Sequence, residues 1–124
     1  MTPELKQAWL DALESGEYNK GKGKLCRIRK DGEYGFCCLG VLANLLIEDG
    51  LDTLEWQDAP YKKQKFMTLT ISNDGWDSTG YDDYLPSAIA RKAGLVGDAQ
   101  WDLADLNDRH LTFKPVIDYI KERL

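Results

Sequence analysis

The sequence is short of the residues on which several functions depend. It has no run of 18 apolar residues and no cationic–apolar leader, so a membrane span is excluded and a cytoplasmic protein is expected. Its three cysteines, Cys26, Cys37 and Cys38, cannot all pair within one chain and lack the spacing of secreted disulfide domains, so reduced thiols are expected. There is no Cys-x-x-Cys pair, and adjacent cysteines do not easily share one tetrahedral zinc; no metal or other cofactor is expected. His110 is the sole histidine, so it is the one imidazole available as a general base. No Gly-x-x-x-x-Gly-Lys-Ser/Thr loop is present, and Asp74, Asp77, Asp82 and Asp83 do not follow calcium-loop spacing.

A local absence is the most informative. From Lys20 to Lys30 there is no negative charge, but six positive ones: Lys20, Lys22, Lys24, Arg27, Arg29 and Lys30. The chain's net charge is −5, which leaves −11 on the rest. An acidic body repels a long polyanion, whereas a cationic strip with glycines in it suits a small phosphorylated ligand. The competing reading is a solvated, lysine-rich hairpin.

Length and composition indicate one soluble domain spanning 1–124, of α+β class: three to four helices on a small, mostly antiparallel sheet. Thr2, Pro3 and Glu4 form a helix-start signal, and Gly16 a stop, so a helix is predicted over 3–15 with Leu5, Ala8, Trp9, Ala12 and Leu13 as its buried face. Residues 17–24 read as loop. Lys30-Asp31-Gly32-Glu33 lies between short alternating segments and predicts a hairpin. Alternation there puts Lys24 and Cys26 on one face, and Leu25, Arg27 and Arg29 on the other. Cys37 to Asp49 is the central buried helix, ended near Gly50. Gly40 within it costs about 1 kcal/mol against alanine, which points to close approach by another element. Leu54-Glu55-Trp56 and residues 67–71 are strand candidates, and Asn73-Asp74-Gly75-Trp76 a turn. Residues 86–93 form a short helix stopped by Gly94. Residues 101–107 are helix or strand. Thr112 caps a last helix whose apolar face is Phe113, Val116, Ile117, Ile120 and Leu124.

Lys22, Lys24 and Arg27 are the candidate phosphate ligands, with Gly21 and Gly23 allowing close backbone approach. Large aromatics in polar loops either plug the core or stack on bases; Trp76, Tyr84 and, beside the cationic loop, Tyr18 are the stacking candidates. Asn73 and Asn107 are candidates for base edges. Cys37 and Cys38 read equally as small apolar residues of a buried helix.

Three segments together carry a resemblance. They are Trp9 with 12–18 and the following Gly-x-Gly-x-Leu; Phe36-Cys37-Cys38-Leu39-Gly40-Val41-Leu42; and Leu106-Asn107-Asp108 with Thr112-Phe113 and Ile117-x-x-Ile120. This layout resembles a widespread family of small proteins encoded by bacteriophages and prophages. It is also similar to phage sponges, which capture cyclic oligonucleotide signals of bacterial antiphage defence without cleaving them. Pro115 departs from the polar or acidic residue of the relatives. The resemblance implies a non-enzymatic, homo-oligomeric protein of the host cytoplasm that sequesters a cyclic di- or trinucleotide, with no long nucleic acid and no membrane as partner. Two alternatives stand beside it: a phosphodiesterase using His110, and an acidic protein–protein inhibitor of a host factor.

Overall fold

The computed structural model describes residues 1–29, 31–51, 54–59, 66–71, 80–81 and 83–124, as backbone alone at 57–59, 66–71 and 80–81. Five helices and six short strands appear among them, in an α+β arrangement. The helix count exceeds the expected three to four because residues 101–107 prove helical.

Helix α1 is Pro3–Glu14. Thr2 Oγ1 accepts the Leu5 N–H at 3.2 Å, satisfying one of the donors that a helix start leaves unpaired. Gly16 has φ +79°. The buried side chains are Trp9, Leu10 and Leu13, while Ala8 is exposed, so the inward face is rotated from the predicted one.

Strand β1 is Asn19–Lys20, within a segment expected to be loop. It pairs in parallel with β3, Tyr34–Phe36, and Gly21 N–H extends the ladder to Phe36 O at 2.7 Å. Strand β2, Cys26–Ile28, pairs antiparallel with β3 through the predicted turn. In that turn Gly32 takes φ +86°, and Arg29 N–H donates to Glu33 O at 2.7 Å. Strands β4, Leu54–Ala59, and β5, Phe66–Ile71, contain the two strand candidates and pair antiparallel; β6, Gly80–Tyr81, adds to β5. The sheet order is β1-β3-β2-β5-β4, mostly antiparallel as expected.

Helix α2, Cys38–Glu48, is the centre of the core. Leu39, Val41 and Leu42 are fully buried, each side chain contributing roughly 1.5–3 kcal/mol by leaving water. Gly40 explains the cost of its presence: a Cβ there would run into the Leu25 carbonyl oxygen and lie 2.8 Å from its carbon. The strand end carrying Leu25 thus packs directly on the helix. Trp9 Nε1 donates to Cys38 O at 3.0 Å and ties α1 to α2.

Helices α3, Ser87–Lys92, α4, Ala99–Arg109, and α5, Lys114–Arg123, complete the fold. Gly94, at φ +93°, follows α3 as predicted. Helix α4 packs on α2 and α5, and α5 returns to α1. Thr112 is not the N-cap of α5. Phe113 holds that position, one residue later, with Pro115 in the first turn, and Thr112 Oγ1 accepts the Lys114 N–H at 3.4 Å. Phe113, Val116 and Ile120 are its buried face. Among the described residues no helix is long and apolar enough to cross a membrane.

Candidate functional site

The C-terminal turn of α4, the N-terminus of α2 and the loop after β1 meet at one place, and Asn107 holds them together. Its side chain is fully buried. Oδ1 accepts the Cys38 N–H at 3.1 Å; Nδ2 donates to Gly21 O at 3.0 Å and to Asp108 Oδ1 at 3.1 Å. Asp108 Oδ1 also accepts the Gly23 N–H at 2.9 Å. Two consecutive residues of α4 therefore fasten two points of the loop. Both loop glycines are required. A Cβ on Gly21 would sit 3.0 Å from the Gly35 carbonyl carbon, and Gly23 has φ +78°.

Two concavities flank this loop, with Asp108 bordering both. The first, of about 290 Å³, is lined by Gly23, Lys24, Cys37, Asp83, Tyr84 and Asp108. Lys24 Nζ reaches Asp83 Oδ1 at 2.8 Å, and the Tyr84 ring is held edge-on against Trp101 with centroids 4.2 Å apart. The second, of about 300 Å³, is lined by Lys20, Gly21, Lys22, Asp108, Arg109 and His110. Burial pulls the Lys20 ammonium below its ordinary value, and the Asp108 carboxylate partly offsets that. Arg109 Nε lies 3.0 Å from Asp105 one turn earlier on the exposed side of α4. A third hollow of similar size, about 280 Å³, lies between the end of α2 and α3, and no candidate residue lines it.

The structure brings Lys24 and Tyr84 to one wall and sets Lys22 on the other side of Asp108. Arg27 belongs to neither lining. It sits on β2 opposite Gly35, on the strand face away from Cys26, where Arg29 also packs across Gly35. Among the described residues the cationic strip therefore divides in three rather than converging; Lys30 lies outside them. Expected alternation fails at its start because β2 begins at Cys26, after Leu25, and both residues are buried.

Tyr18 lies apart from Tyr84, half-buried, with its ring edge-on to Phe36 at 5.0 Å. Its hydroxyl accepts from Asn44 Nδ2 at 2.8 Å, and Asn44 Oδ1 accepts from Trp56 Nε1 at 3.2 Å. Phe36, Trp56 and Cys26 line a small apolar hollow of about 220 Å³ there. Asn107 is core, its amide engaged at both ends, so it shapes the loop from beneath. Asn73 and Trp76 lie outside the described residues.

The thiols are buried. Burial, with the neighbouring Cys37, pushes Cys26 up to about 12; it pushes Cys37 up to about 11, against the Gly40 and Leu39 N–H groups that favour the thiolate; and it pushes Cys38 well above the usual thiol value. They fit the reading as small apolar residues. His110, exposed at the end of α4, is separated from that core.

Sequence reasoning did not single out Asp108 or Arg109, and named Lys20 and Asp83 only as members of the cationic strip and the acidic cluster. The one available signal was the run Asn107-Asp108-Arg109-His110 at a helix end, where a turn of polar side chains projects beyond the packed core. A family profile described as a domain of unknown function, DUF8296, matches residues 1–124. No curated protein and no solved structure matches the chain.

Proposed function

The chain belongs to DUF8296, a family described as a domain of unknown function, and from the site itself we propose that it binds a small phosphorylated nucleotide and holds it without cleaving it. One observation carries this reading. Lys24 and Tyr84, a phosphate candidate and a stacking candidate 60 positions apart, line the same concavity, with the Gly23 backbone between the lysine and Asp108.

The chemistry of the lining fits the parts of a nucleotide. The Tyr84 ring, already braced by Trp101, offers a base a flat apolar face. Lys24 has three N–H donors, so an ammonium that contacts Asp83 can also reach a phosphate oxygen. Asp83 and Asp108 only accept hydrogen bonds when ionised, which suits ribose hydroxyls and exocyclic amino groups. These carboxylates serve base edges in place of Asn107, whose amide is engaged in the core. Lys22, across Asp108, is placed for a second phosphate.

At about 290 Å³ the concavity is at the lower edge of the ~300–1,000 Å³ range of small-molecule sites, enough for one nucleotide unit. A cyclic di- or trinucleotide extends beyond it, toward Lys22 or a second protomer of a symmetric assembly. In the setting implied by the phage resemblance, the protein acts in the host cytoplasm and withdraws a defence signal from its receptor.

Calorimetry with a panel of mononucleotides and cyclic di- and trinucleotides, followed by denaturation and mass analysis of the ligand, tests this. The expected result is binding below millimolar with intact ligand recovered. Tyr84→Leu should weaken binding by about 5- to 150-fold, the equivalent of ~1–3 kcal/mol of stacking. No nucleotide bound below millimolar overturns the proposal. New products in the recovered ligand replace it with a phosphodiesterase.

A further inference from the structure

The second concavity contains three cationic side chains that the nucleotide reading only touches at its edge. Lys20 and Lys22 come from β1 and the loop after it; Arg109 comes from the last turn of α4. His110, the residue after that helix, adds an imidazole with N–H capacity. These side chains are about 90 positions apart in sequence, so the fold assembles the cluster rather than a charged run alone. With Asp108 as the one carboxylate in the lining, the formal charge of the wall is +2 with histidine neutral.

Lys20 is half-buried and anchored by its backbone opposite Phe36. A half-buried ammonium facing other cations is an unfavourable arrangement without a counter-charge, and its lowered pKa reflects the same loss of water. Asp108 supplies only part of that counter-charge, because its Oδ1 is already bonded to the Gly23 N–H and the Asn107 amide. Arg109 also neutralises the negative end of the α4 dipole, which would otherwise oppose an anion there.

We propose that the Lys20–Lys22–Arg109–His110 concavity is an anion subsite for a phosphoryl group of two or more negative charges, a phosphomonoester or pyrophosphate. The three cations of the lining outnumber its one carboxylate, with Arg109 also paired to Asp105 beside it, and a group of two or more negative charges answers that surplus better than the single charge of a diester. Arg109 supplies forked donors for two oxygens, and the lysines supply point charges to the others. The subsite does not depend on base stacking, so it stands or falls separately from the nucleotide reading.

Inorganic pyrophosphate is the probe, since it has no base. His110 is the sole histidine, so its ring C–H signals in a ¹H–¹³C spectrum report the surroundings of one residue, which borders this cavity and the hollow beside Lys114; the Lys20 and Lys22 variants assign the shift to this cavity. Titration at fixed pH and constant ionic strength should give a saturable shift with a midpoint at or below a few millimolar. Lys22→Gln, an exposed change, and the pair Lys20→Gln with Arg109→Gln should each weaken the midpoint, the pair by at least tenfold. Arg29→Gln, on the sheet face, should leave it unchanged and so controls for general loss of charge. A linear drift without saturation, the same drift with matched sodium chloride, or equal weakening by Arg29→Gln overturns the proposal. Pyrophosphate binding in a protein that binds no nucleotide would remove the nucleotide reading and leave this one intact.

Discussion

Asn107→Ala is the most decisive single change. The side chain is fully buried and satisfies the Cys38 N–H at the start of α2, together with the half-buried Gly21 carbonyl. Truncation strands the Cys38 N–H in the core, at a cost of about 2–3 kcal/mol, and leaves the Gly21 carbonyl short of a partner, for about 1 kcal/mol more. The two together give about 3–4 kcal/mol, a large share of the ~5–15 kcal/mol by which a domain of this size is stable. Urea unfolding followed by circular dichroism reads it as a fall in the transition midpoint at unchanged slope. Asn107→Asp separates the two bonds. It keeps an acceptor for Cys38 but turns a carboxylate oxygen toward Gly21 O and Asp108 Oδ1. Those neighbours raise the introduced carboxyl's pKa in the folded state, so its penalty is present at pH 7 and shrinks as acid protonates it and restores a donor. A loss below 1 kcal/mol for Asn107→Ala, or a pH-independent loss for Asn107→Asp, would refute the assignment of Asn107 as the fastening between α4, α2 and the loop.

Gly40→Ala should gain about 1 kcal/mol of helix propensity yet lose more, about 2 kcal/mol net or worse, because its methyl group meets the Leu25 backbone rather than a movable side chain; a thermal melt at or above wild type would contradict that packing. Trp9→Phe removes the donor to Cys38 O and should cost about 1–2 kcal/mol in urea unfolding; no change would mean the indole N–H contributes nothing net. The buried thiols should resist a thiol reagent at pH 8 in the native protein and all three react in urea; rapid native labelling of any one would contradict its burial. Cys26 and Cys37 hold their protons to about 12 and 11, whereas unfolded thiols release theirs from about 8.5. Stability should therefore be unaffected by these groups below pH 8 and fall as pH rises through 9 and 10, by up to about 1.4 kcal/mol per unit for each thiol, less steeply in Cys26→Ala.

Local chemistry made much of the frame readable. Thr2-Pro3 and Gly16 bracket α1 because capping and left-handed backbone are decided within four residues. Asp31-Gly32 announces the β2–β3 turn for the same reason. Gly40 was readable as a close approach because its cost needed a cause; which element approached was not. The parallel pairing of Asn19–Lys20 with β3 has no sequence signature, since two residues show no periodicity. Helix α4 was ambiguous because its buried residues are just Ala99, Leu103 and Asn107, and one of those is polar.

The site follows the same division. Residue types suggested Lys24 and Tyr84, and tertiary structure put them on one wall. Arg27 was grouped with them by adjacency, but strand pleating turns it elsewhere. Asp108 was not legible as a site residue because its role as acceptor for Gly23 depends on a segment 85 residues away.

Consider the loop between β1 and β2 once more. Gly21 is bonded at both its N–H and its carbonyl, and Gly23 at its N–H, so the backbone that presents Lys20, Lys22 and Lys24 is already in one shape before any visitor arrives. Only side-chain torsions remain to be frozen on capture, at roughly 0.5–1.5 kcal/mol for each chain immobilised. Association should then proceed in one kinetic phase, at a rate that climbs as salt is diluted and carries no signature of a slow rearrangement.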